Sequence, residues 1–201
     1  ETTLAYIRRN ATISAEDPVR NPGISLRAVD DTTIVSVAGS LSASGSVAVG
    51  LGADVGLITK ITKAYIDSGV TANADGDIKV IAGSTEDITS VAAGMGASGT
   101  AAVTLDASVH ILTVTTKAFI GDEDGIGSAG PGHVHAQGDV IVSAADNTEV
   151  DNYVGVRAGA GRAGDGAAGA VTITDKTTEG YIGQGAWVTG EGRSAGNIVN
   201  T

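Results

Sequence analysis

The chain has 201 residues, a formal net charge of −11 and only 3% aromatic residues against 42% hydrophobic residues. An acidic chain without a basic stripe is a poor binder of nucleic acid, and the lack of cysteine excludes a disulfide framework. Since no stretch approaches about 18 uninterrupted apolar residues, we predict no transmembrane helix and no membrane insertion. Most apolar residues are Ala and Val, which can fill only a thin core between closely approaching sheets.

An internal repeat organises the chain. Residues Ile24–Ile66 align without gaps onto Ile78–Ile120, with 19 identities in 43 positions, and a weaker third copy follows at Val140–Ile182. This periodicity predicts one repeat array over 1–201. Its parts are a partial repeat and spacer at 1–23, repeats at 24–77, 78–139 and 140–197, and the start of a further repeat at 198–201.

Apolar and polar residues alternate within each copy. The second copy carries the apolar row Val103, Leu105, Ala107, Val109 and Ile111. A period of two predicts strands with that apolar face buried. After Ile111 the apolar phase shifts to Leu112 and Val114 without a turn, which predicts a bulge or a corner where the strand changes sheets.

Aromatic residues fall on one repeat position. Only six exist, and four of them are equivalent: Tyr6, Tyr65, Phe119 and Tyr181. Each is followed by isoleucine. Stacked repeats therefore predict an aromatic ladder beside an isoleucine ladder, both packed in the core. The alternative is an outward aromatic row that stacks on carbohydrate.

These patterns predict an all-β fold. A repeat β-solenoid, similar to a β-helix, fits best, with each copy forming one large coil or two to three shorter rungs. The alternative is a row of tandem β-hairpins or small β-sandwiches, each built from one repeat.

The repeats resemble those of large bacterial filamentous adhesins. The resemblance rests on Thr116-Lys117-Ala118-Phe119-Ile120 and on Ile88-Thr89-Ser90-Val91-Ala92-Ala93-Gly94. Leukotoxin-type and filamentous-haemagglutinin-like proteins, secreted as autotransporters or through partner pores, carry similar repeats. The resemblance implies a long right-handed β-helix on the cell surface, with a role in adhesion, surface coating or filament formation.

One acidic loop is a candidate metal site. Asp122, Glu123 and Asp124 lie between Gly121 and Gly125. Carboxylates in a glycine loop suit Ca²⁺, although the ligand spacing of an EF-hand is absent. The alternative is a solvated acidic turn, and no other cofactor is predicted. A second candidate is the pair His133 and His135, which alternate on a strand and so face the same way.

We predict that the chain is not an enzyme. Its three histidines occupy unrelated repeat positions, and no Ser/His/Asp set can be assigned from the sequence. The predicted function is a structural module of an extracellular, cell-surface filament or adhesin. Its predicted partners are identical subunits or repeats, end to end, and a host or neighbour-cell receptor. A glycan- or ice-binding solenoid, favoured by rows of threonine, is the alternative, and a polysaccharide-degrading enzyme is a remote one.

Overall fold

The fold is all-β. A computed structural model describes residues 1–17, 19–123 and 131–193; Asp124 and the predicted repeat start at 198–201 lie outside them. Within these ranges no helix is long and apolar enough to span a bilayer. The eleven strands are β1 (Thr2–Ile7), β2 (Thr12–Ala15), β3 (Ile24–Ser44), β4 (Val47–Ile66), β5 (Thr71–Ala74), β6 (Ile78–Ser98), β7 (Ala101–Ile120), β8 (Gly132–Ala136), β9 (Val140–Ala160), β10 (Ala163–Ile182) and β11 (Ala186–Gly190).

The strands form three parallel sheets. Sheet A has the order β1-β4-β7-β10, sheet B the order β2-β5-β8-β11 and sheet C the order β3-β6-β9. The chain passes from sheet C to sheet A to sheet B and then returns to sheet C one strand further on. We call each such passage a rung: β3-β4-β5 is rung 1, β6-β7-β8 is rung 2 and β9-β10-β11 is rung 3.

Strand pairing joins equivalent residues of successive repeats. Ile24 lies opposite Ile78, and Ile78 lies opposite Val140, so each pairing uses the same offset as the repeat alignment. Rung 3 keeps the strand lengths of rung 2, at 21 and 20 residues, although its sequence has diverged. The long strands of one rung are not hydrogen-bonded to each other, which is not the pairing expected of tandem hairpins.

A conventional apolar core fills the region where the three sheets meet. It includes Ile66 and Ile120 from sheet A, Val134 from sheet B with Val70 just before β5, and Ile78 from sheet C. Burial of such side chains contributes roughly 1.5–3 kcal/mol each, so this region is the main source of stability. We call it the base.

Beyond the base, sheets A and C continue as two facing layers, which we call the arm (34–58, 88–112 and 150–174). Here the polarity predicted for the strands is wrong. Thr104, Asp106, Ser108 and His110 are buried, whereas the apolar row that contains Val103 and Leu105 faces solvent. The predicted bulge is also absent, because β7 runs without a break from Ala101 to Ile120. Along β7 the apolar residues face outward in the arm and inward in the base.

The arm is polar inside because its two sheets approach too closely for large side chains. A Cβ added to Gly164 on β10 would lie 2.7 Å from the backbone oxygen of Ala158 on β9. A Cβ on Gly50 would lie 3.1 Å from the hydroxyl of Ser40. Small residues therefore line most of the inside of the arm and most branched residues face outward, although Ile88 and Leu112 are buried where the arm meets the base.

Candidate functional site

A buried ion cluster separates the arm from the base. Lys60 on β4 is 2% exposed and pairs with Asp30 on β3 and with Glu86 on β6. The Lys60 Nζ–Glu86 Oε1 distance is 2.9 Å. Since β3 and β6 belong to different rungs, one ammonium group joins two successive repeats as well as two sheets.

Hydroxyl groups complete the hydrogen bonding of the cluster. Thr3 and Thr32 donate to Asp30, and Ser84 and Thr148 donate to Glu86. Burial alone would raise the pKa of Asp30 and of Glu86, but these hydrogen bonds and the Lys60 charge outweigh it and lower both pKa values. Burial would likewise lower the pKa of Lys60, but its two carboxylate partners raise it. The cluster therefore stays ionised at neutral pH.

Rung 3 has its own version of this ion pair. Lys176 on β10 occupies the position of Lys60 and contacts Asp146, which occupies the position of Asp30. In rung 2 the corresponding residues are Val114 and Ser84, so charge alternates with neutral groups along the stack. This alternation prevents adjacent buried ammonium groups, which would repel each other.

A Ser/His/Asp set, which sequence reasoning did not find, lies inside the arm. Ser108 Oγ is 3.3 Å from His110 Nδ1, and His110 Nε2 is 3.5 Å from Asp54 Oδ2. Ser36 and Ser90 donate hydrogen bonds to Asp54 and lower its pKa. Ser108 and His110 are each 1% exposed. A substrate in solvent therefore cannot reach them. The set lies on β4 and β7 of sheet A, and the hydrogen bonds from Ser36 and Ser90 link it to two strands of sheet C.

Several buried polar atoms in the arm have no hydrogen-bond partner. Within the described part of the chain they include Ser42 Oγ, Ser98 Oγ, Thr104 Oγ1, Asp106 Oδ2 and His110 Nε2. A buried unpaired polar group costs about 1–3 kcal/mol. The arm interior is thus a weak contributor to stability, in contrast to the base.

The aromatic ladder is present, but on the outer surface. Ring centroids are 5.2 Å apart for Tyr6–Tyr65, 4.8 Å for Tyr65–Phe119 and 5.3 Å for Phe119–Tyr181, all nearly parallel. The expected core location is wrong, since Tyr6 is 44% exposed and only Phe119 is buried. The rings stack on each other, so the faces between neighbouring rings are covered and cannot receive a sugar. The isoleucine ladder lies inside, as predicted, with Ile66 and Ile120 fully buried.

The acidic loop begins at the end of β7. Asp122 is buried and its backbone N–H donates to Gln184 O at 3.1 Å. Lys63 Nζ lies 2.7 Å and Lys117 Nζ 3.5 Å from Glu123 Oε1. Two ammonium groups thus compete with a cation for the Glu123 carboxylate. Among the described residues, no three His, Cys, Asp or Glu side chains are grouped to hold a metal.

The two histidines predicted to face one way both lie on β8, with separate partners. The His133 ring meets Trp187 edge-on at 5.2 Å, and His135 Nε2 is 3.1 Å from Glu191 Oε1. The threonine rows also stack, but Thr62 and Thr116 are inside and fully buried. Thr59 and Thr113 pair on the outer side of the same strands, where the next repeat carries Asp175, so the outer threonine row is interrupted.

Comparison of this chain with known protein families, with curated proteins and with solved structures finds no match. Its chemistry must therefore be inferred from its own geometry. That geometry offers no accessible group of reactive side chains among those discussed above. In the part of the chain that the structure describes, it offers instead the outermost strands β9, β10 and β11 and broad outer faces on the arm.

Proposed function

We propose that the chain is a structural module of a bacterial cell-surface filament or adhesin, built as a β-solenoid with one rung per repeat. The observation that carries the proposal is the register, in which equivalent residues of successive repeats pair in sheets A and C. Stacked repeats of this kind supply length and stiffness, since each rung contacts mainly its neighbours. The resemblance of the repeats to those of filamentous adhesins supports an extracellular location.

The ends of the stack favour growth by strand addition. In the part of the chain that the structure describes, β9, β10 and β11 are each the last strand of their sheet. Two of these edges are 21 and 20 residues long. An unpaired parallel edge of that length is a template for another strand. We propose that identical or similar repeats add there, end to end, so that the stack continues as a fibre.

The connections that link sheet A to sheet B are the proposed recognition elements. They differ in length between repeats while the strands do not, and surface loops of this kind tolerate variation and bind partners. A host or neighbour-cell receptor would bind there. The acidic loop after β7 is one such connection.

Electron microscopy of the purified protein tests the proposal. We expect negative staining to reveal thin unbranched fibres, and removal of 1–23, which deletes β1 and β2, to change their growth. Monodisperse short rods that ignore this truncation would contradict self-assembly. Parallel grids with EDTA test whether assembly needs calcium. Fibres that dissolve in EDTA and re-form with Ca²⁺ would indicate a bound cation. Loss of this response in the variant E123Q would assign the cation to the acidic loop.

A further inference from the structure

The outer face of sheet A on the arm is a broad apolar surface. It comprises the outward residues of three neighbouring strands, and we call it the apolar face: Val47, Val49, Leu51, Ala53, Val55 and Leu57 on β4; Ala101, Val103, Leu105, Ala107, Val109 and Ile111 on β7; and Ala163, Asp165, Ala167, Gly169, Val171 and Ile173 on β10. Asp165 is its only charged residue, and it lies near the turn at the tip of the arm.

This face is too large for a typical solvated surface. Ten of its large side chains are between 38% and 74% exposed. The largest apolar patch of a soluble monomer usually measures about 300–600 Å². Ten half-exposed Val, Leu and Ile side chains present an area on the order of 800 Å², which is what each partner buries in a standard stable interface.

The shape of the apolar face is graded from rung 1 to rung 3. Leu51, Leu105 and Ala167 are neighbours across the three strands. Two residues further along each strand, the neighbours are Ala53, Ala107 and Gly169. A shallow groove opens where the side chains become small, lined by Leu51, Leu105, Ala107, Ala167 and Gly169. The side chain at this position shrinks from leucine in rung 1 to alanine in rung 3, so Leu51 of a copy that is turned over can lie in the space above Ala167.

The apolar face and the outer arm face of sheet C differ in the number of charged residues that they carry. Asp151 and Arg157 on β9 lie on the outer arm face of sheet C, and Asp87 on β6 lies beside it. A chain with a net charge of −11 repels its own copies and anionic surfaces except where charge is absent. The apolar face carries fewer charged side chains than the outer arm face of sheet C, so two copies can meet there while few charges are desolvated.

We propose that the apolar face binds the same face of a second copy of this chain. A twofold axis along β7 places rung 1 of one copy over rung 3 of the other, so that Leu51 fills the groove at Ala167 and Leu105 meets Leu105. Such an isologous contact closes on itself, as twofold interfaces do. It goes beyond the proposed end-to-end growth, because it joins stacks side by side.

Sedimentation over a range of protein concentrations tests the contact. The variant Leu51→Thr/Leu105→Thr changes neighbouring outward residues of sheet A. Its matched control, Leu41→Thr/Met95→Thr, changes neighbouring outward residues of sheet C that are 82% and 53% exposed. We expect a dimer whose dissociation constant rises at least tenfold in the first variant and changes less than twofold in the control.

Three results would overturn the proposal. The first is a wild-type chain that is monomeric at all concentrations, and the second is an equal rise of the dissociation constant in both variants. The third is a monomer that floats with phosphatidylcholine–phosphatidylglycerol vesicles and loses this binding in the Leu51→Thr/Leu105→Thr variant. End-to-end growth is distinguishable, since it depends on strand edges and persists in the Leu51→Thr/Leu105→Thr variant.

Cross-linking with a short bismaleimide tests the orientation, because the chain contains no cysteine. We expect Leu105→Cys alone to form covalent dimers, since that residue lies on the twofold axis. Leu51→Cys alone should not, but a mixture of Leu51→Cys and Ala167→Cys chains should. Covalent dimers of Leu51→Cys alone, with no higher dimer yield from the mixture, would overturn the proposed orientation.

Discussion

Lys60 Nζ on β4 lies 2.9 Å from Glu86 Oε1 on β6, which belongs to the next repeat. The same ammonium group contacts Asp30 on β3. All three side chains are buried, so the ion cluster fixes the relative position of two sheets and two rungs at once. A slip of one residue in either sheet would turn a buried charge outward and leave its partner without compensation.

Replacement of Lys60 by methionine should destabilise the fold strongly. Two carboxylates would remain buried without a cation, and removal of one partner from a buried ion pair costs about 3–5 kcal/mol. Urea unfolding followed by circular dichroism measures the change. Lys79→Met is the control, because Lys79 forms an exposed pair with Asp77 and such pairs contribute about 0–1 kcal/mol. Equal losses in the two variants would contradict the assigned role of Lys60.

The ion cluster also predicts how stability depends on pH. The pKa values of Asp30, Glu86 and Asp54 are lowered in the folded state, so their contribution is present above the ordinary carboxyl range near pH 4 and is lost as pH falls through the lowered values. The raised pKa of Lys60 acts in the opposite sense, and its contribution is lost only as pH rises above about 10.

We therefore expect the free energy of unfolding to decline from about pH 5 downward, and Asp30→Asn/Glu86→Gln/Lys60→Met to flatten that decline. Urea unfolding at a series of pH values measures the slope. Asp31→Asn, at the exposed neighbour of Asp30, is the control and should leave the slope unchanged. An unchanged slope in the triple variant would contradict the prediction.

Gly56 should not tolerate a methyl group. A Cβ there would lie 2.3 Å from Cδ2 of the buried His110 ring, which has no free space to move into. Overpacking of this kind costs about 1–3 kcal/mol, and thermal unfolding should reveal it as a lower Tm. Gly155→Ala is the matched control, because nothing lies within 4 Å of its added Cβ. Equal stability of both variants would mean that the sheets of the arm can separate locally.

The aromatic ladder should stabilise the stack from outside. Phe119 lies between two parallel rings, and each aromatic pair contributes about 0.5–1.5 kcal/mol beyond the area that it buries. Phe119→Leu should therefore lower the free energy of unfolding by about 1–3 kcal/mol. Tyr153→Leu, at an exposed aromatic on β9, is the control and should have little effect. A larger loss in the control than in Phe119→Leu would refute a stabilising ladder.

The repeat makes much of the fold predictable. Because equivalent residues pair, the offset between Ile24 and Ile78 in the sequence is also the register of β3 on β6. The isoleucine and aromatic ladders follow from the same offset. Composition correctly indicated a thin core as well, since Ala, Gly and Ser leave no room for a wide one.

The sequence could not show which face of the arm lies inside. Alternation at Val103, Thr104 and Leu105 defines two faces of a strand, and the usual rule assigns the apolar one to the interior. That rule fails over most of the arm, because close approach of the sheets leaves little room for branched side chains. The base, which is formed by the same strands, obeys the rule, so the sequence does not reveal that the arm reverses it.

The buried clusters were missed for a geometric reason, although a signal for them exists. Asp30 and Lys60 are each 15 residues from Gly45, and Ser36 and Asp54 are each nine residues from it. Folding the chain about Gly45 brings these residues opposite each other. Sequence periodicity gives only the register between rungs, so the pairing across a rung required the position of the turn.

The way in which the rungs are joined determines how the stack carries a load. The backbone crosses each boundary between rungs once, whereas hydrogen bonds cross it along 21 residues of sheet C and 20 of sheet A. Tension that is spread over a whole rung is thus divided among many weak bonds acting in parallel. A boundary that does fail releases a whole repeat, about 180–210 Å of extended chain. A long stack of such repeats would therefore yield to a large force in long, discrete steps.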